Sequence, residues 1–163
     1  MASPISESLR KSRSGGERFL LLEENRFAHA AVEQLTWKES PSRPRQVFLS
    51  GPSGCGKSVL AQWFVRLELS QRPDVSSVHI TAAEFGAEFA EASESIVIPA
   101  FQERYRALEL LIIEDLRSLA NRSETLTQIG FVIDAVLANG GRVLLTSRCP
   151  PGELTGMPSR LIN

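Results

Sequence analysis

Cysteine is scarce: Cys55 and Cys149 are the only two, too few for the disulfide framework of a small secreted scaffold. Histidine is equally scarce, and His29 and His79 have no metal-ligand spacing to each other or to the cysteines, which leaves both as structural residues. No apolar stretch approaches the ~18 residues of a membrane span, and no signal-peptide core lies near Met1, so a cytoplasmic chain without a membrane-spanning segment is expected. Charge of one sign is lacking too. Lys and Arg number 18 against 19 Asp and Glu, a net charge of -1, so no global basic field argues for nucleic acid and only a local patch could serve that role. What remains is ordinary: 163 residues, 42% hydrophobic and 23% charged, enough for one well-filled soluble domain and too few for two.

One stretch is far from ordinary. In "QVFLSGPSGCGKSVL", Gln46 to Ser50 reads as a buried strand, Gly51 to Ser58 fits G-x-x-x-x-G-K-[ST], and helical periodicity begins at Val59. The eight-residue pattern arises by chance in well under ~1% of chains this long. A polyphosphate needs inward-turned amides, and glycines allow the dihedrals and the close approach. A lysine reaches the β- and γ-phosphates, a hydroxyl binds Mg2+, and the helix N-terminus faces the anion. The nucleotide-contacting set is therefore Gly51, Pro52, Ser53, Gly54, Cys55, Gly56, Lys57, Ser58 and Val59. Cys55 stands beside Lys57 at a helix start, where oxidation would block phosphate; as a bland alternative it is a small residue the loop tolerates.

Around this stretch, Met1 to Arg18 is polar and Ser-rich with Arg10, Lys11, Arg13 and Arg18, and reads as a flexible tail or linker, leaving 19–163 as the folded part. Asn25 is placed to cap a helix from Arg26 to about Trp37 with Phe27, Ala30, Ala31 and Leu35 on its apolar face. Lys38 to Arg45 is a loop. After the phosphate loop, Val59, Leu60, Trp63, Phe64 and Leu67 form a face to pack on a sheet. Val78 to Thr81 is a second strand, Thr81 to Glu84 a capping box opening a helix to about Ala92, and Pro99 to Arg106 another helix with Phe101 and Tyr105 paired. Leu108 to Ile113 is a strand buried on both faces, followed by Glu114 and Asp115. Ser123 is placed to cap a helix from Glu124 to Ala138 with Ile129, Val132, Ile133, Val136 and Leu137 inward, closed by Asn139-Gly140-Gly141. Arg142 to Thr146 is the fourth strand, ending at Ser147 and Arg148.

Strands alternating with helices imply a parallel sheet flanked by helices, an α/β P-loop NTPase. Ligands in such sheets sit beyond the strands' carboxyl ends, where the phosphate loop, the Glu114-Asp115 pair and Ser147 converge. One carboxylate of the pair can hold Mg2+ through water, beside the Ser58 hydroxyl, while its neighbour orients the attacking water.

These stretches, in this order, resemble one family: the AAA+ ATPase domain of the bacterial replication initiator DnaA. The segments "ENRFAHAA" (Glu24 to Ala31), "GPSGCGKS", "HITAAEF" (His79 to Phe85), "FQERYRALELLIIEDL" (Phe101 to Leu116) and "LLTSRCPPGEL" (Leu144 to Leu154) carry it over about Phe19 to Asn163. The resemblance implies strand order 5-1-4-3-2, an initiator-specific insertion near Glu84 to Ala92, Asn25 near the nucleotide, and Arg160 as the first arginine of an "RLxSRF" box. It also implies ATP-dependent self-assembly on origin DNA, with ATP or ADP bound. The resemblance also implies that Ser58 and, through water, Glu114 hold Mg2+, and that Asp115 orients the attacking water with Lys57 as its catalytic partner. Three positions depart from the family pattern, since Glu114 replaces an aspartate at the Mg2+ position, Arg148 replaces the sensor aspartate after "TS", and Glu124 stands where some members carry a DNA-contacting arginine. On the resemblance the chain is an AAA+ core truncated before the fifth strand, the lid and the helix-turn-helix domain, which makes Gln46 to Ser50 an unprotected sheet edge. Two other readings stay open: a non-hydrolysing DnaA-like regulator or helicase-loader-type module, and, more weakly, a small-molecule P-loop kinase.

Overall fold

The fold is described from a computed structural model over residues 21–36 and 42–154. The tail 1–18, Trp37, the start of the loop at Lys38 and Arg160 lie outside the described residues. Four strands, β1 (Gln46–Ser50), β2 (Ser77–Thr81), β3 (Leu110–Glu114) and β4 (Arg142–Ser147), form one sheet in the order β1-β4-β3-β2, with every neighbouring pair parallel. The α/β class and the order expected for these strands are both found. Among the described strands β1 is an edge, and Gln46, Val47 and Phe48 are only half-buried, where the sequence reading had a buried strand. Full burial needs a neighbour on both sides, and among the described strands β1 has one.

Alternation along the central strands sends side chains to two separate cores. Leu110, Ile112 and Leu144 pack with α1 (Arg26–Glu33) and α2 (Lys57–Gln71). Leu111, Ile113, Val143 and Leu145 pack with α3 (Ala82–Glu94), α4 (Ile98–Arg106) and α5 (Ser123–Ala138). β3 is buried along its whole length, as its unbroken apolar run requires, although it starts two residues later than Leu108 and extends through Glu114. Among the described residues no helix is long and apolar enough to cross a membrane.

Two helix faces differ from expectation. Helix α1 ends at Glu33, so Leu35 is buried from the turn that follows, together with Val32; Phe27 is 74% exposed, with the Arg26 guanidinium 4.8 Å from its ring centroid. The face is set by packing on α2, where the His29 and Trp63 rings meet at 4.5 Å. In α2 the buried stripe is Leu60, Ala61, Phe64, Val65 and Glu68, while Val59, Trp63 and Leu67 sit at its margin. A stripe centred one residue further round admits a charged group, Glu68, because Arg142 lies beneath it. Ser123 is the first residue of α5 and makes no capping bond; Arg122 occupies the cap position. The end of α5 is as expected: Gly140 has φ +81°, and the amides of Gly140 and Gly141 bond to the carbonyls of Leu137 and Val136.

The capping box of α3 is present. The Thr81 hydroxyl accepts from the Glu84 amide at 3.2 Å, and the Glu84 carboxylate accepts from the Thr81 amide at 2.9 Å. The bond from the Thr81 amide, and then one that the Thr81 hydroxyl donates to the same carboxylate at 2.7 Å, hold the Glu84 carboxyl below its usual pKa of 4.5. A lowered folded-state pKa means the stabilisation is full above the unfolded value and fades as pH falls through the folded one. Glu84→Ala is therefore expected to cost about 0.5–1 kcal/mol in urea unfolding at neutral pH. The difference from the parent should shrink when the titration is repeated below that pKa.

Candidate nucleotide site

The cleft lies beyond the carboxyl ends of the strands. Its volume is about 450 Å³; Ser53, Gly54, Gly56, Lys57, Ser58 and Val59 line one side, and Asp115, Thr146 and Arg148 the other. The phosphate loop leaves β1 at Ser50, which pairs in register with Ser147 at the end of β4, and the Gly51 amide bonds to the Ser147 carbonyl at 3.2 Å. The loop is thereby pinned to the central strand before it turns. Gly54 and Gly56 have φ of +81° and +89°, a conformation that favours glycine, and nothing lies within 4 Å of where a Cβ would stand on either. The open space over two left-handed glycines at the N-terminus of a 15-residue helix is the cradle that the chemistry of a phosphate group requires. Lys57 folds over the loop, its Nζ donating to the carbonyls of Gly51 at 2.7 Å and Pro52 at 2.8 Å. The exposed Cys55 thiol is 3.5 Å from the same ammonium.

The two acids differ in burial. Glu114 is the last residue of β3 and 9% exposed, whereas Asp115 is half-exposed. Burial pushes the Glu114 pKa up, but hydrogen bonds from His79 and Ser58 and the nearby Lys57 charge outweigh it, leaving the carboxyl below its usual 4.5. An ionised carboxylate only accepts, so His79 Nε2 must be the donor to Glu114 Oε1 at 2.5 Å. His79, expected to be merely structural, supports Glu114 from the neighbouring strand, and no sequence signal links two residues 35 apart. Ser58 and Glu114 meet at one spot beside Lys57, a hydroxyl and a carboxylate suited to a hard cation. One hydroxyl and one carboxylate fit Mg2+, which takes few protein oxygens and completes its shell with water and phosphate oxygens.

Asp115 adopts φ 55°, ψ 54°, the left-handed region, which Asp tolerates better than most residues. Its amide donates to Thr146 Oγ1 at 3.1 Å, and its carbonyl accepts from the Ser118 amide and hydroxyl. Thr146 lines the cleft in place of Ser147. The expected contact residue Ser147 is fully buried, its hydroxyl accepting from the Cys149 amide at 3.3 Å. Alternation along β4 decides this, turning Ser147 into the core while Thr146 faces the cleft. A polar residue next to the end of an otherwise apolar strand was the available signal for Thr146. Asn25 sits at the start of α1 with its side-chain oxygen accepting from the Leu22 amide at 2.8 Å, and it does not line the cleft.

A family profile described as the bacterial DnaA ATPase domain matches residues 11–163. The chain belongs to that family. The chromosomal replication initiator DnaA of Caulobacter vibrioides is 31% identical over 160 residues, 98% of this chain and 32% of the relative. The chain thus spans about a third of the length of the curated DnaA relatives it matches. Among solved structures, domain III of Thermotoga maritima DnaA superposes with TM-score 0.80 at 23% identity, covering 88% of this chain and 60% of that one. A DnaA bound to AMPPCP and single-stranded DNA gives 0.78 at 24%, covering 88% and 44%. At these identities the structural likeness speaks for the DnaA fold.

Proposed function

We propose that this chain is the ATP-binding module of a DnaA-type replication initiator, with residues 19–163 forming its AAA+ core. The observation that carries this reading is the convergence of Lys57, Ser58 and Glu114 beneath the two left-handed loop glycines. The loop amides of 51–58 hold the polyphosphate, and Lys57 exchanges its loop carbonyls for β- and γ-phosphate oxygens. Ser58 and Glu114 would hold Mg2+, which when bound would supply a divalent charge to offset the one developing on the phosphates. In hydrolysis Asp115 accepts a hydrogen bond and then the proton from water as the water oxygen bonds to the γ-phosphorus. The bond from that phosphorus to the bridging oxygen breaks, and ADP and phosphate leave. Nucleotide state then governs self-assembly on origin DNA, consistent with a family relative whose structure holds AMPPCP and single-stranded DNA. A cytoplasmic location follows from that role.

The test is binding of a fluorescent ATP analogue with Mg2+, followed by turnover. Micromolar binding is expected, with hydrolysis lost by at least about 100-fold in Asp115→Asn. No binding at millimolar nucleotide overturns the proposal. Binding without turnover favours the second reading, a non-hydrolysing DnaA-like regulator or helicase-loader-type module, which the Arg148 Nε contact to Asp115 Oδ1 at 3.2 Å specifically supports.

A further inference from the structure

Arg148 follows Ser147 at the end of β4 and lines the same cleft as Lys57 and Ser58. Its Nε donates to Asp115 Oδ1 at 3.2 Å, with the two side chains 52% and 45% exposed. The contact is a single bond. Among the described residues the two terminal guanidinium nitrogens of Arg148 have no protein partner, so two further donors are available in the cleft. An exposed, singly bonded ion pair contributes little to stability and is readily exchanged. A terminal phosphate carries more charge than one carboxylate and accepts the guanidinium fork through two oxygens.

We propose that Arg148 is a switch residue that reads the third phosphate: it pairs with Asp115 when the site holds a diphosphate and moves onto the terminal phosphate of a triphosphate, which frees Asp115 for water. This deepens the nucleotide-binding reading and rests on it. The geometry favours such an exchange because Asp115 is held by its backbone, through Thr146 and Ser118, and not by its carboxylate. The carboxylate can therefore lose its partner without the loop moving. Arg148 and Asp115 are thus linked: whatever takes the guanidinium exposes the acid. The cation discriminates triphosphate from diphosphate, a task the loop amides cannot perform because they contact phosphates common to both.

The experiment measures affinities of the 163-residue chain for fluorescent ATP and ADP analogues with Mg2+, in the parent and in Arg148→Ala, Arg148→Lys and Asp115→Asn. Arg148→Ala is expected to lower the ATP-to-ADP affinity ratio about tenfold, with ADP affinity held within about twofold as the internal check on folding. Arg148→Lys should retain part of the ratio, and Asp115→Asn should raise ATP affinity about threefold by removing the competing carboxylate. A ratio unchanged in both Arg148 variants overturns the switch while leaving nucleotide binding standing. If the parent binds neither nucleotide, the switch falls with the reading beneath it.

Discussion

Lys57→Ala is expected to weaken binding of a fluorescent ATP analogue by at least about 100-fold, about 2.7 kcal/mol. The ammonium is the one cation inside the phosphate loop itself, and two charge-assisted bonds to phosphate oxygens are lost at once. In the structure its donors are satisfied by the carbonyls of Gly51 and Pro52, which converge on the same point from one turn of the loop. Losing those two bonds at a half-buried position is expected to cost folding only about 1 kcal/mol, so the variant remains testable as a folded protein. Equilibrium titration by fluorescence anisotropy, with circular dichroism as the fold check, makes the measurement. Affinity unchanged from the parent would remove the phosphate loop from the account.

The second large effect is on stability. Arg142 Nη2 donates to Glu68 Oε2 at 2.7 Å, with side chains 6% and 1% exposed, and Arg142 Nη1 donates to the Leu35 carbonyl. One pair thus ties the first residue of β4 to α2 and to the turn after α1. Removing one partner leaves an uncompensated charge in the core. Glu68→Ala or Arg142→Ala is therefore expected to lower unfolding stability by about 3–5 kcal/mol, a large share of the ~5–15 kcal/mol typical of a domain. Urea unfolding followed by circular dichroism measures it. Replacing both residues with apolar ones of similar size, Glu68→Leu with Arg142→Met, should recover most of the loss, because the pair's attraction is largely offset by the desolvation of its two charges. A single substitution costing under about 1 kcal/mol would show that water reaches the pair.

Features encoded within a few neighbouring residues were readable in the chain before any fold was known. The loop from Gly51 to Ser58, the Thr81 and Glu84 capping box, the Gly140 stop after α5 and the doubly buried run of β3 are all local, since backbone dihedrals and i to i+3 bonds depend on adjacent residue types. Periodicity also placed most helices and strands within two or three residues of where they are found. It did less well on which way a helix faces. Phe27 on α1 and Val59 on α2 were assigned to apolar faces, but a face is chosen by what lies opposite, and α1 meets α2 through His29 and Trp63.

Contacts between residues far apart in the chain were decided by the tertiary structure alone. His79 reaches Glu114 across 35 positions, Thr146 fixes the Asp115 amide across 31, and Arg148 meets Asp115 across 33, all through the parallel register of β2, β3 and β4. A register is a property of paired strands and leaves no mark at either residue. That is why the amino-acid order named the phosphate loop and the acids, while only the folded sheet determined that Ser147 turns inward, that Thr146 faces the cleft, and that the Arg148 cation sits on Asp115.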